Sequence, residues 1–215
     1  MAVITGGSRG IGRGIALRLA RDGAHCAITY RKDAPSALEA VAELEALGVR
    51  AVAERLELAE LEQVAPVFER IGAALGRVDV LVANAAAAAF RPVLEQKAHN
   101  VRRTFAISVD AFVAMTQAAV PLMKGRPGRI VLISGIDSFQ AMAGHTVLGA
   151  AKAASSGPTR RPTTSPKASA STTSGRPRAS SRPPRCAGTE RPRTWRPWSP
   201  TWCRTPRRSS PASAS

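Results

Sequence analysis

The residues best placed to do chemistry stand at the very start of the chain. A short strand, Ala2-Val3-Ile4, runs into Thr5-Gly6-Gly7-Ser8-Arg9-Gly10-Ile11-Gly12, and an Ala/Leu/Arg-rich helix follows at once, from about Gly10 to Asp22. This is the pattern of a nucleotide-phosphate cradle. The turn from a buried strand into a helix must bring bare backbone against an anion, and glycine permits that approach. The helix start then offers unpaired N–H groups and the positive end of its dipole. A glycine triplet alone is weak; placed between a strand and a helix it carries a mechanism.

Such a loop needs a scaffold, and the next 140 or so residues supply one. His25 to Arg31 reads as a second strand after the Asp22-Gly23 stop, and Ala34 to Leu47 as a helix closed by Gly48. Val49 to Leu58 supplies a third strand, Glu60 to Leu75 an amphipathic helix ended by Gly76, and Val78 to Ala83 an apolar strand of the doubly buried kind. His99 to Lys124 is a long helix with Pro121 near its end, and His99 is expected to be exposed. Strands alternating with helices imply right-handed crossovers and a doubly wound parallel sheet. There is no repeat, no signal peptide and no apolar run of membrane length, so a cytoplasmic location and no membrane partner are expected. Cys26, Cys186 and Cys203 match no metal spacing, and Cys26 reads as a buried strand residue.

Charge selects among the nucleotides. A carboxylate about 20 residues beyond the glycines would hold the ribose 2′-hydroxyl of NAD and repel the 2′-phosphate of NADP. Here the second strand ends Tyr30-Arg31-Lys32, and Arg9 lies within the glycine loop. These cations favour a phosphate, hence NADP(H) over NAD(H). Asp33 follows directly and leaves the choice open, and Arg31 and Lys32 have an alternative reading as solvated loop charges.

The spacing Thr-Gly-x-x-x-Gly-x-Gly resembles the fingerprint of the short-chain dehydrogenase/reductase family, which binds NAD or NADP on a Rossmann-type sheet. Leu81-Val82-Ala83-Asn84-Ala85-Ala86 is similar to that family's Asn-Asn-Ala-Gly segment, Arg129 to Gly135 to its fifth strand, and Ala150-Ala151-Lys152-Ala153-Ala154 to its lysine segment. The resemblance covers residues 1–154. It implies that Thr5, Gly6, Ser8, Arg9, Gly10, Ile11, Gly12, Arg31, Asn84, Ala85, Ala86 and Lys152 hold the cofactor. Glu57 occupies the place of an adenine-side aspartate, or is an ordinary exposed charge. It also implies a homodimer or homotetramer and a small-molecule substrate.

The family's tyrosine, serine and asparagine positions are occupied here by Leu148, Gly135 and Ser108. Leucine cannot transfer a proton. One branch of the superfamily, the enoyl-acyl-carrier-protein reductases with Tyr-x6-Lys, is similar in its Asn-Ala-Ala and Arg-Pro-Val segments, matched here by Asn84-Ala85-Ala86 and Arg91-Pro92-Val93. His145 stands seven residues before Lys152, about two helical turns if a helix already begins there. It is either the proton donor or a helix-start histidine without a role. Ser134 and Ser138 are both near enough to replace the absent serine, and the spacing selects neither. The resemblance implies reduction of an enoyl or keto group, an acyl thioester being one candidate substrate.

Beyond Ala154 the composition changes. Residues 155–215 contain no Leu, Ile, Val, Phe or Met, and hold 11 of the chain's 16 prolines. Thirteen basic residues against Glu190 give this stretch +12 of the total +16, leaving +4 for residues 1–154. Too little apolar surface is present to offset the entropy of ordering, so residues 155–215 are expected to be a disordered tail on a C-terminally incomplete domain. One reading is a basic arm that holds nucleic acid. The favoured reading is a frameshift near Ala154–Ser155. Reading each codon one base earlier lets Ser155-Ser156 become Leu-Glu, and Ala168 to Ser174 become Gly-Ile-Arg-Val-Asn-Asn-Val, similar to the family's sixth strand. Impaired catalysis, weakened oligomerisation, or a catalytically inactive nucleotide-binding remnant would follow.

Overall fold

The structure, a computed structural model, describes residues 1–123, 125 and 127–156. The tail from residue 157, with its expected disorder and frameshift, lies outside the described residues.

Five strands, β1 (Ala2–Thr5), β2 (Cys26–Tyr30), β3 (Ala51–Arg55), β4 (Val80–Ala83) and β5 (Arg129–Leu132), form one parallel sheet in the order β3-β2-β1-β4-β5. The helices are α1 (Gly10–Arg21), α2 (Ala34–Glu45), α3 (Val64–Leu75), α4 (Ala98–Phe105), α5 (Ala111–Ala119) and α6 (Thr146–Ser156). The doubly wound sheet expected from the alternation is therefore present over these residues. Side chains alternate across it as a pleated strand requires. Ala2 and Ile4 join Ala16, Ala20, Ile28, Ala40 and Leu44 in one core. Val3 and Leu81 join Phe68, Ile71, Phe112 and Met115 in the other. Both faces are covered, which is why β1, β2 and β4 read as continuous apolar runs.

Strand order reverses direction between β1 and β4: the chain adds β2 and β3 on one side of β1, then returns to add β4 and β5 on the other. The crevice beyond the carboxyl ends of those two strands is where an open α/β sheet admits a ligand.

Several boundaries differ from the sequence expectation. β3 begins at Ala51 rather than Val49, because its pairing with β2 runs from Cys26↔Ala51 to Tyr30↔Arg55. The stretch from Glu60 opens with a 3-10 turn, Leu61–Gln63, before α3. The long helix expected over 99–124 is interrupted: a π-helical turn, Ala106–Asp110, separates α4 from α5, and a 3-10 turn, Val120–Met123, closes it around Pro121, which lacks an N–H. Taken together, Ala98–Met123 is long and apolar enough to cross a membrane by length and composition, a property the sequence reading had not found. Ala111, Phe112, Met115 and Ala119 nonetheless lie in the protein core, as in any central helix. His145 is not in a helix. Gly144 at φ +75° makes the turn that places it one residue before α6. Finally, α6 continues through Ser155 and Ser156, both assigned to the tail on composition.

Candidate active site

β1 delivers the chain to Gly6, which adopts φ +66°, and Gly10 opens α1 at φ +57°. Both angles favour glycine. Gly12 is required for a different reason: a Cβ there would run into the Gly6 carbonyl oxygen and lie 2.6 Å from the Asn84 side-chain nitrogen. Arg9, the residue before α1, makes no side-chain capping bond, and the first turn contains no acid. The leading N–H groups of α1 therefore have no side-chain partner and present a positive helix end.

Thr5 ties this loop to β4. Its fully buried hydroxyl oxygen accepts from the backbone N–H groups of Asn84, at 3.0 Å, and Ala85, at 3.1 Å. The Asn84 amide in turn donates to the Thr5 carbonyl at 2.9 Å. Two strand ends that are 79 residues apart in sequence are thereby locked at the switch point.

A groove of about 610 Å³ opens above this lock. Gly6, Ser8, Arg9 and Ile11 line it from the loop, and Tyr30, Arg31 and Lys32 from the end of β2. Leu56, Glu57 and Leu58 close one flank, while Asn84, Ala85 and Ala86 form the floor. Ser134 and Lys152 stand at the other end. Most of the residues singled out in the sequence thus face one cleft, with Thr5, Gly10 and Gly12 building its loop.

The cationic end is better defined than the sequence allowed. Asp33, the residue that left the charge reading open, also lines the groove, but its carboxylate is engaged in a helix cap. Its two carboxylate oxygens accept from the Ser36 N–H at 3.1 Å and the Ser36 hydroxyl at 2.8 Å, capping α2. Those bonds, with the nearby charge of Arg9, hold its carboxyl below the usual range. Asp followed by Ala34-Pro35 is a helix-start signal that could have shown this from sequence. Glu57 accepts from Arg103 of α4, at 3.3 Å to each oxygen, and lies 4.0 Å from the Arg31 guanidinium. Arg103 carries no local signal and the sequence reading missed it.

At the other end, the Lys152 ammonium donates to the Ile133 carbonyl at 3.1 Å. Ser134 and Ser156 share a hydroxyl contact of 3.3 Å. Below Lys152 lies a cavity of about 20 Å³, lined by Ala83, Ala85, Ile107, Phe112, Leu132 and Ser155 among others. The Ser108 hydroxyl, carried by the π-helical turn, also borders this cavity; it is buried without a hydrogen-bond partner among the described residues. His145 does not line the groove. Its Nδ1 lies 3.3 Å from the Asp137 carboxylate and its ring 4.7 Å from that of Phe90.

The family model for short chain dehydrogenase matches residues 1–164. The chain belongs to the short-chain dehydrogenase family. Among curated relatives of this family, 1-cyclohexenylcarbonyl-CoA reductase of Streptomyces collinus is 39% identical over 154 residues, covering 72% of this chain and 55% of that protein. A short-chain dehydrogenase from Burkholderia cenocepacia, solved in complex with NADP, is 39% identical with a TM-score of 0.69, covering 71% of this chain and 62% of the other. A blue fluorescent protein from a metagenomic library, solved with NADPH, is 40% identical with a TM-score of 0.68, covering 71% and 63%. The chain thus spans little more than half the length of that reductase.

The positions that depart from the family's pattern also have definite surroundings. Leu148 is buried. A Cβ added at Gly135 would run into the Asp137 carboxylate and lie 3.6 Å from the Lys152 side chain, so a serine there would stand beside the lysine only with Asp137 moved aside.

Proposed function

We propose that this chain is an NADP(H)-dependent reductase of the short-chain dehydrogenase family, acting by hydride transfer on an enoyl or keto group of an acyl thioester, with catalysis weakened by the altered C-terminal part. The observation that carries the cofactor half is the cluster of Arg9, Arg31 and Lys32 at one end of the groove, where the two carboxylates present, Asp33 and Glu57, are already held by hydrogen bonds to Ser36 and Arg103. A pocket whose cations outnumber its carboxylates at the β2 end suits a 2′-phosphate.

The residues fit the cofactor. Gly10 has open space where a Cβ would sit, and the α1 N–H groups around it would hold the pyrophosphate. Arg9, Arg31 and Lys32 would hold the 2′-phosphate. Ala85 and Ala86 let the ligand lie close to the backbone, and Lys152 would hold the nicotinamide ribose. When bound, the reduced cofactor supplies a hydride. The Lys152 ammonium would stabilise negative charge developing on the substrate oxygen, while His145, outside the groove lining with its Nδ1 facing Asp137, would pass an Nε2 proton to the substrate only through an intervening water. Ser134 would polarise the same oxygen. The thioester reading is supported by the CoA-thioester activity for which the Streptomyces relative is named and by the Asn84-Ala85-Ala86 and Arg91-Pro92-Val93 segments.

The reading of a shifted frame gains support from Ser155, a buried polar residue against a mostly apolar cavity at a position where codon degeneracy allows the shifted frame a leucine. A cytoplasmic location and a weakened homodimer or homotetramer belong to the same reading. A second reading, a nucleotide-binding remnant without turnover, is favoured by Leu148 and Gly135 at the positions of the family's tyrosine and serine.

The test is NADPH consumption by the purified chain with enoyl-CoA and 3-ketoacyl-CoA thioesters. Slow turnover that Lys152→Ala abolishes supports the reductase. Tight NADPH binding without turnover on either class supports the remnant, and failure to bind NADPH sinks both.

A further inference from the structure

We infer that Arg103 sets the preference for NADP(H) over NAD(H) indirectly, by holding the Glu57 carboxylate that would otherwise neutralise Arg31. The inference rests on the cofactor reading above and adds to it a residue outside the groove.

Three charges decide the matter. Glu57 lines the cationic end of the groove and is the acidic residue nearest Arg31 there, at 4.0 Å from its Nε. The Arg103 guanidinium, reaching over from the last turn of α4, binds both Glu57 oxygens at 3.3 Å, and the Ala59 N–H donates to one of them, also at 3.3 Å. Glu57 is therefore committed mainly to Arg103, and Arg31 stands at the outer limit of an ion pair. The Arg31 carbonyl is pinned separately by the Arg55 side chain at 3.3 Å, which leaves the Arg31 guanidinium as its mobile part.

With Arg103 present, the groups at this end are Arg9, Arg31, Lys32 and Arg103 against Asp33 and Glu57, a net charge of +2. Without it the net charge is +1, and Glu57 has a single close guanidinium left to pair with. A phosphate monoester near neutral pH carries close to two negative charges, so both changes weaken it selectively. The adenosine 2′-hydroxyl of NAD(H) is neutral, and its binding does not depend on this charge balance. Arg103 thereby acts as a positioning residue, through Glu57, on a group it does not touch.

The experiment measures dissociation constants for NADPH and NADH by nicotinamide fluorescence, on the full chain and on variants with matched circular dichroism. Arg103→Ala is expected to lower the NADPH:NADH preference by about fivefold, the scale of one partly screened charge. Arg103→Lys, which keeps the charge, retains most of the preference. Glu57→Gln raises it, and in the Glu57→Gln background the Arg103→Ala effect falls to the small remainder due to net charge alone, the signature of coupling between the two. Loss of affinity for both cofactors by the same factor, or an Arg103→Ala effect undiminished by Glu57→Gln, overturns the inference and leaves the NADP(H) reading standing. A wild-type chain that prefers NADH overturns that reading itself, and the inference with it.

Discussion

Ser155 gives the sharpest stability prediction. It is 1% exposed, its hydroxyl donates back to the Ala151 carbonyl at 2.9 Å, and it borders the 20 Å³ cavity beneath Lys152. The other walls are mostly apolar, including Phe112, Met115 and Leu132. Ser155→Leu replaces one buried hydroxyl with three carbons. Each buried methylene contributes about 0.8 kcal/mol, so the gross gain is about 2.4 kcal/mol. The cavity holds about one water, room for part of the added volume, and strain in fitting the rest offsets roughly 1 kcal/mol. The expected net stabilisation is about 1–2 kcal/mol, read as a higher urea midpoint at unchanged slope and a Tm higher by roughly 2–6 °C. Ser155→Ala serves as the control, with a smaller gain because it removes the hydroxyl without filling space. If Ser155→Leu lowers the midpoint, the position is not an apolar one that has lost its side chain, and the support it lends to a shifted frame is gone.

Two further predictions concern the lock and the cap. Thr5→Val leaves two N–H groups, those of Asn84 and Ala85, without their acceptor, and is expected to destabilise the chain by about 2–4 kcal/mol and weaken binding of both cofactors together, measured by urea unfolding and fluorescence titration. Asp33→Ala removes the α2 cap and should lower Tm, and by removing one of the carboxylates at the cationic end of the groove it should tilt cofactor preference further toward NADPH. Because the folded-state Asp33 carboxyl is held below its ordinary value of about 3.9, its contribution is complete above that pH and lost as pH falls through the folded value. The Tm difference between wild type and Asp33→Ala should therefore be full near pH 6 and shrink as pH falls below the ordinary carboxylate range; a difference that grows on acidification contradicts the cap assignment.

The phosphate loop was legible in the sequence because glycine is forced wherever backbone must turn with positive φ or pass another chain closely, as at Gly6 and Gly12. The sheet was legible because burial on both faces leaves unbroken apolar runs such as Val80 to Ala83. What escaped notice has no local signature. The π-helical turn at Ala106–Asp110 contains neither Gly nor Pro, and its sequence is that of an ordinary helix. The Arg103–Glu57 pair joins residues 46 apart, set beside each other only by the sheet order. The condition that a helix already begin at His145 is not met, because Gly144 turns the chain just before it and α6 starts at Thr146. That turn directs the histidine ring to Asp137 and Phe90 and leaves it outside the groove lining. The edges of β3 were set by the register with β2, which no window of sequence contains.

The claim on which the account depends is that the groove ends in a 2′-phosphate site. Isothermal titration of the wild-type chain with NADPH and NADH side by side tests it most directly. Two or more charge-assisted bonds from Arg9, Arg31 and Lys32 predict that NADPH binds at least about tenfold more tightly, with most of the difference lost in Arg31→Ala. Equal affinities, or tighter binding of NADH, would contradict it.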